Sequence, residues 1–171
     1  MRFALMMPLA DRIDRLNTAI GRAAAWLALA IVFLQFALVV ARYLFGFGSI
    51  WLSETVIYAN AALFMLAAAW TLRAGSHVRV DVFYAEAGPR TKAAVDLLGA
   101  LLLLLPFALV LLWFAAPYAA RSWAILERSQ ETSGLPLVFV LKTLIPLFAV
   151  LMALQGVAQA IRAYDTLFEK R

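Results

Sequence analysis

Apolar residues fall in four long runs separated by short polar clusters. The runs cover about 23–41, 50–72, 93–120 and 135–161. A helix needs roughly 20 residues to cross the hydrocarbon of a bilayer, so the pattern predicts four transmembrane helices joined by short connections. Ahead of the first run, Leu9, Ile13, Leu16 and Ile20 recur at helical spacing opposite Asp11, Arg12, Asp14 and Arg15, and Pro8 suits a first helical turn. Residues 8–22 are therefore expected to form an amphipathic interfacial helix, lying on the membrane rather than across it. A signal peptide is the competing reading, but the apolar run Ala23 to Ala41 exceeds the about 7–15 residues of a signal core.

Prolines and aromatics refine this outline. Pro136 falls at the start of the fourth span, whereas Pro106 and Pro146 lie inside spans and are expected to bend them. Tyr43, Trp51, Trp70, Tyr118 and Trp123 sit near span ends, where amphipathic rings favour the headgroup level. The fold class expected is an all-α membrane protein, one integral membrane domain over 1–171, with four spans and an N-terminal amphipathic arm.

Composition agrees. Hydrophobic residues make up 65% of the chain, against about 45–50% in a soluble domain. The net charge of +5 would by itself suggest nucleic acid, but the basic residues lie at the edges of the apolar runs, where they meet lipid headgroups. Membrane lipid, not nucleic acid, is the expected partner of that charge. Eleven Lys or Arg flank one side (Arg2, Arg12, Arg15, Arg22, Arg73, Arg79, Arg90, Lys92, Arg162, Lys170, Arg171), and only Arg42, Arg121 and Arg128 flank the other. By the positive-inside rule both termini are expected in the cytoplasm. The chain has no cysteine, so it offers neither a disulfide nor a thiolate metal site, which fits a bacterial inner membrane.

Charges inside spans are the informative polar groups, because each costs at least about 2.5–3.5 kcal/mol on insertion scales. Glu54 lies about four residues into the second span and Lys142 inside the fourth, both in the outer leaflet by the charge count. They are placed to pair within the chain; the alternatives are that Lys142 snorkels to the interface or pairs with another subunit. Lys142, Pro146, Ala149, Ala153, Gly156 and Ala160 share one stripe of the fourth helix. Small residues let helices approach closely in lipid, so this stripe is expected to face protein, although an alanine-rich span also makes such stripes by chance. Gln35, Asn60, Gln155 and Gln159 are candidate interhelical hydrogen-bonding amides. His77 is the single histidine, which excludes bis-histidine haem within one chain. No nucleotide-binding or zinc signature occurs, so neither a catalytic site nor a cofactor is expected.

Trp51-Leu-Ser-Glu54 opens the second span, and Arg73-Ala-Gly-Ser-His77-Val-Arg79-Val-Asp81 follows it. Further on come Glu127-Arg-Ser-Gln-Glu131-Thr-Ser-Gly134-Leu-Pro136, Lys142 and Leu154-Gln155-Gly156. In this order around four spans, these segments resemble the small permease subunit of the tripartite ATP-independent periplasmic (TRAP) transporters, the DctQ-like family. The resemblance implies a large permease subunit as partner, holding the substrate and sodium sites and moving as an elevator, with this chain extending its immobile scaffold. It also implies transient contact with a periplasmic substrate-binding protein that delivers an organic acid for symport. Arg42, Trp51, Glu54 and Lys142 are then expected to fix the outer half, and His77, Arg79 and Asp81 to order the inner connection or touch the large subunit. The loop from Arg121 to Gly134 is expected to meet the binding protein. Alternatives are an assembly protein without a transport role and the membrane anchor of a redox complex.

Overall fold

The structure is a computed structural model and describes residues 6–75 and 87–168. Among the described residues the regular elements are helices: α1 (Met7–Phe45), α2 (Ile50–Arg73), α3 (Pro89–Ala124) and α4 (Val138–Phe168), each long and apolar enough to cross a membrane. The chain is thus an all-α, multi-pass membrane protein with four spans.

Local chemistry accounts for the helix ends. Gly46 stops α1 in the left-handed region (φ 65°), where its N–H returns to the Arg42 carbonyl and that of Phe47 to Ala41. Ser49 caps α2, its hydroxyl oxygen accepting the Leu52 N–H at 3.3 Å. Midway along α3, Ala100–Leu104 form a π turn, and the Leu105 N–H reaches back to Ala100. Pro106, one residue on, has no N–H and crowds the carbonyl four residues earlier; the wider turn accommodates it. Pro117 and Pro146 lie inside α3 and α4.

Two features differ from the reading of the sequence. The fourth helix starts at Val138, not Leu135, because Pro136 disfavours the helical region for the residue before it and the Leu135 carbonyl accepts the Ser129 N–H of the loop instead of a helical one. The N-terminal arm is not a separate element, since α1 runs unbroken through it. Leu9 and Leu16, assigned to its apolar face, are exposed, and Asp14, assigned to the polar face, is buried.

All other helices touch α4, and α1 also lies along α2. One core cluster joins Ala10 and Ile13 of α1 to Ala158 and Ile161 of α4. A second joins Ala69, Ala108, Leu151 and Met152, with Ile20, Leu66 and Leu104 packed around them. Half of the buried residues in these clusters are alanine, which permits the close backbone approach that lipid-embedded helices depend on. At Gly21 the approach is close: an added Cβ would lie 2.8 Å from the Trp70 Cγ. Trp70 is therefore half-buried in the bundle, while Tyr43, Trp51, Tyr118 and Trp123 are exposed. The small stripe of α4 faces inward, with Ala149, Gly156 and Ala160 buried and Gly156 against Leu104 and Leu105 of α3. It serves contacts within the chain.

Candidate functional site

Two polar clusters form toward opposite ends of the bundle. The first gathers around the loop 125–137, which joins α3 to α4. From the second turn of α2, the Glu54 carboxylate accepts the Ser129 hydroxyl and, at 2.5 Å, the Leu135 N–H. The loop closes on itself as well. Ser129 donates its N–H to the Leu135 carbonyl at 3.2 Å and accepts the Glu131 N–H on its hydroxyl at 3.2 Å, and the Gly134 N–H reaches the Glu131 carbonyl at 3.0 Å. Gly134 is confined here: an added Cβ would sit 2.5 Å from the Ser129 Cβ and 2.8 Å from Glu54 Oε1.

Lys142 secures the other limb of the loop. Its ammonium lies 2.5 Å from a Glu127 carboxylate oxygen and 4.2 Å from the centroid of the Tyr118 ring. The hydrogen bond from Lys142 holds the Glu127 carboxyl below its ordinary value. Beside it, Trp123 donates its ring N–H to Thr143 at 2.8 Å and meets Phe139 edge-on at 4.5 Å. Glu54 and Lys142, placed by the sequence so that they could pair within the chain, therefore do not bond to each other. Each compensates its charge on the α3–α4 loop, which offers backbone and hydroxyl donors to one and a carboxylate to the other.

The second cluster lies toward the end that carries both termini, and its hub is Asp14, 2% exposed. Arg73, closing α2, places Nε 3.0 Å from the Asp14 carboxylate. Arg162 of α4 contacts Asp14 as well and reaches Asp11 at 2.8 Å. Gln155, also buried, donates to Asp14 at 3.0 Å and accepts from Asn17 at 2.7 Å. Arg73 donates further to Thr18 at 2.6 Å. Three helices are thus joined through one carboxylate in a low-dielectric setting, where such networks are strong if satisfied. A polar cavity of about 310 Å³ adjoins it, lined in part by Lys92, Asp96, Gln159 and Thr166.

Of the residues singled out from the sequence, Glu54, Glu127, Glu131, Gly134 and Lys142 thus meet at the loop, and Arg73 and Gln155 at the hub. Gly156 packs in the α3–α4 seam. Arg42 and Trp51 are exposed near the α1–α2 connection, apart from both clusters. His77, Arg79 and Asp81 lie outside the described residues. Sequence reasoning missed the roles of Asp14, Asn17, Arg162, Ser129 and Tyr118. A signal for the first two exists: Ala10, Ile13, Asp14, Asn17, Gly21 and Ala24 fall on one side of a 3.6-residue helix and form the buried face of α1, disguised by the polarity of two members.

Among the described residues no group of His, Cys, Asp or Glu is arranged to hold a metal. The family whose model matches this chain is described as tripartite ATP-independent periplasmic transporters, DctQ component, and the match covers residues 31–166. The chain belongs to the DctQ family. No curated protein and no solved structure matches it significantly. DctQ proteins are the small membrane subunit of TRAP transporters, which also comprise a large permease and a substrate-binding protein; they are transporter components, not enzymes. The DctQ match includes the whole loop cluster and the Arg73, Gln155 and Arg162 side of the hub, while Asp14 and Asn17 precede it.

Proposed function

We propose that this DctQ subunit braces the static scaffold of a large permease in a bacterial inner membrane, with both termini cytoplasmic, during sodium-coupled uptake of an organic acid. The observation that carries the reading is where its polar chemistry goes. Among the described residues the buried polar side chains are Asp14, Asn17, Ser122 and Gln155, and the in-span charges Glu54 and Lys142 are tied to a loop of the same chain. Asp14, Asn17 and Gln155 fasten helices together, and the buried residues elsewhere in the bundle are mostly alanine. Such a body suits a fixed counterpart to a moving domain, and the substrate and ion sites belong to the large subunit.

Bulky apolar side chains cover the outside of the bundle, including Trp26, Phe33, Phe36, Phe64, Phe107, Trp113 and Phe114. That surface fits lipid on some faces and the large permease on another. The 121–134 segment is the meeting point for the loaded binding protein. The chain is to be co-expressed with a large TRAP permease subunit, purified, and assayed for uptake in proteoliposomes with and without this subunit. Copurification and loss of uptake without it are expected; elution alone, with uptake intact in its absence, would overturn the reading.

A further inference from the structure

We infer that Glu54 is a positioning residue for the encounter with the binding protein: from α2 it holds the 125–137 loop in one shape, and Lys142 holds the loop's other limb through Glu127. The inference rests on the proposed meeting of that loop with the binding protein. The loop runs 13 residues without helix or strand between α3 and α4. It exposes Ile125, Leu126 and Leu137 together with Arg128 and Glu131, so it has little core of its own. Ordering a free backbone is unfavourable at every residue, and a partner meeting a disordered loop must supply that free energy from its contacts.

Here the ordering is supplied from within the subunit. Glu54 bonds to Ser129 and to the Leu135 backbone, far along the chain and six residues apart in the loop. Gly134 leaves just enough space for the carboxylate, and Leu126 turns the chain with a left-handed φ of 46°. Lys142 and Glu127 fix the point where the loop leaves α3. Glu54 itself is half-buried beneath the loop. Its effect on a partner is exerted through the shape of the loop rather than by direct contact.

The comparison of Glu54→Gln with Glu54→Ala in the assembled transporter separates this role from others. A glutamine is isosteric: its amide oxygen accepts the Leu135 N–H and its amide nitrogen donates to the Ser129 oxygen, so both ties persist without the charge. Alanine removes both. Two readouts are needed, hydrogen exchange of the 127–137 backbone and uptake titrated with loaded binding protein. For Glu54→Ala, faster exchange and an about tenfold higher half-saturating concentration of binding protein are expected, with maximal rate and copurification unchanged. Glu54→Gln is expected within about twofold of the parent.

Three results would overturn the inference: unchanged exchange in Glu54→Ala, faster exchange with unchanged half-saturation, or a glutamine variant as impaired as the alanine one. Should Glu54→Ala fail to assemble, Ser129→Ala, which removes one tie from the loop side, is read by the same criteria. A parent transporter whose uptake does not require this subunit refutes the proposed function instead, and the exchange measurement still decides whether Glu54 orders the loop.

Discussion

Replacing Asp14 by alanine tests whether one carboxylate joins α1, α2 and α4. The substitution leaves Arg73, Arg162 and the Gln155 amide facing a position with almost no access to water. Removing one partner from a fully buried ion pair costs about 3–5 kcal/mol. Here the Arg73 and Arg162 side chains are 40% and 38% exposed, so water recovers part of their solvation and their share is discounted. The larger remaining cost is the Gln155 N–H group, buried and deprived of its acceptor, at about 1–3 kcal/mol. A net loss of about 2 kcal/mol is expected. Steric trapping of the full chain in bicelles measures it, and faster hydrogen exchange in the first three turns of α1 locates it. Asp14→Asn keeps an acceptor for Gln155 and is expected to lose about half as much. In a double-mutant cycle with Arg162→Met, coupling of about 1 kcal/mol is expected. A stability of Asp14→Ala within about 0.5 kcal/mol of the parent, with unchanged exchange, refutes the hub.

Two glycines offer a contrast. Gly21→Ala drives a methyl into the Trp70 ring and its Cβ, which are held between helices, so a loss of about 1–3 kcal/mol is expected in the same assay. Gly156→Ala meets side-chain carbons of Leu104, at 3.0 and 3.3 Å, and of Leu105, at 3.3 Å, which can give by a few tenths of an ångström, and the helix propensity gained offsets that shift, so a change within about 1 kcal/mol is expected. Equal losses at the two sites would contradict the packing described. Acid should loosen the loop: with the Glu127 carboxyl held below its ordinary 4.5, its tie to Lys142 is complete above that value and is lost as pH falls through the lower folded one. A nitroxide on Gln130→Cys, the single thiol in a chain without cysteine, is expected to gain mobility in that acid range. Adding Glu127→Gln should make its mobility independent of pH there, and a pH response that survives the change would assign the effect to another group.

Much of the fold was legible because a bilayer simplifies the problem. Backbone polar groups must be satisfied within each segment, so a long apolar run is enough to announce a helix. The start of α4 was misplaced because Pro136 steers Leu135 out of the helical region and the Leu135 carbonyl is engaged by Ser129 in the loop, so three apolar residues stay outside the helix. The inward face of the first three turns of α1 was missed for a related reason: periodicity reveals a face, but it does not tell whether an acid on that face meets water or two arginines from other helices. The cost of a charge in hydrocarbon correctly drew attention to Glu54 and Lys142. Their actual partners depend on how a 13-residue loop folds back over the helix ends, which no local pattern encodes.

The fastening of α4 toward both of its ends has a consequence for the surrounding lipid. Lys142 and Arg162 are 20 residues apart, about 30 Å along a helix axis, which is close to the thickness of the hydrocarbon core. A single helix answers a thinner or thicker bilayer by tilting on its own. In this bundle the ties to α2 and α3 through the loop, and to α1 and α2 through Asp14, oppose such independent movement. Mismatch must then be absorbed by a common tilt of all four helices or by the lipids themselves. The subunit therefore acts as a spacer, imposing its own hydrophobic thickness on the first shell of lipid around it.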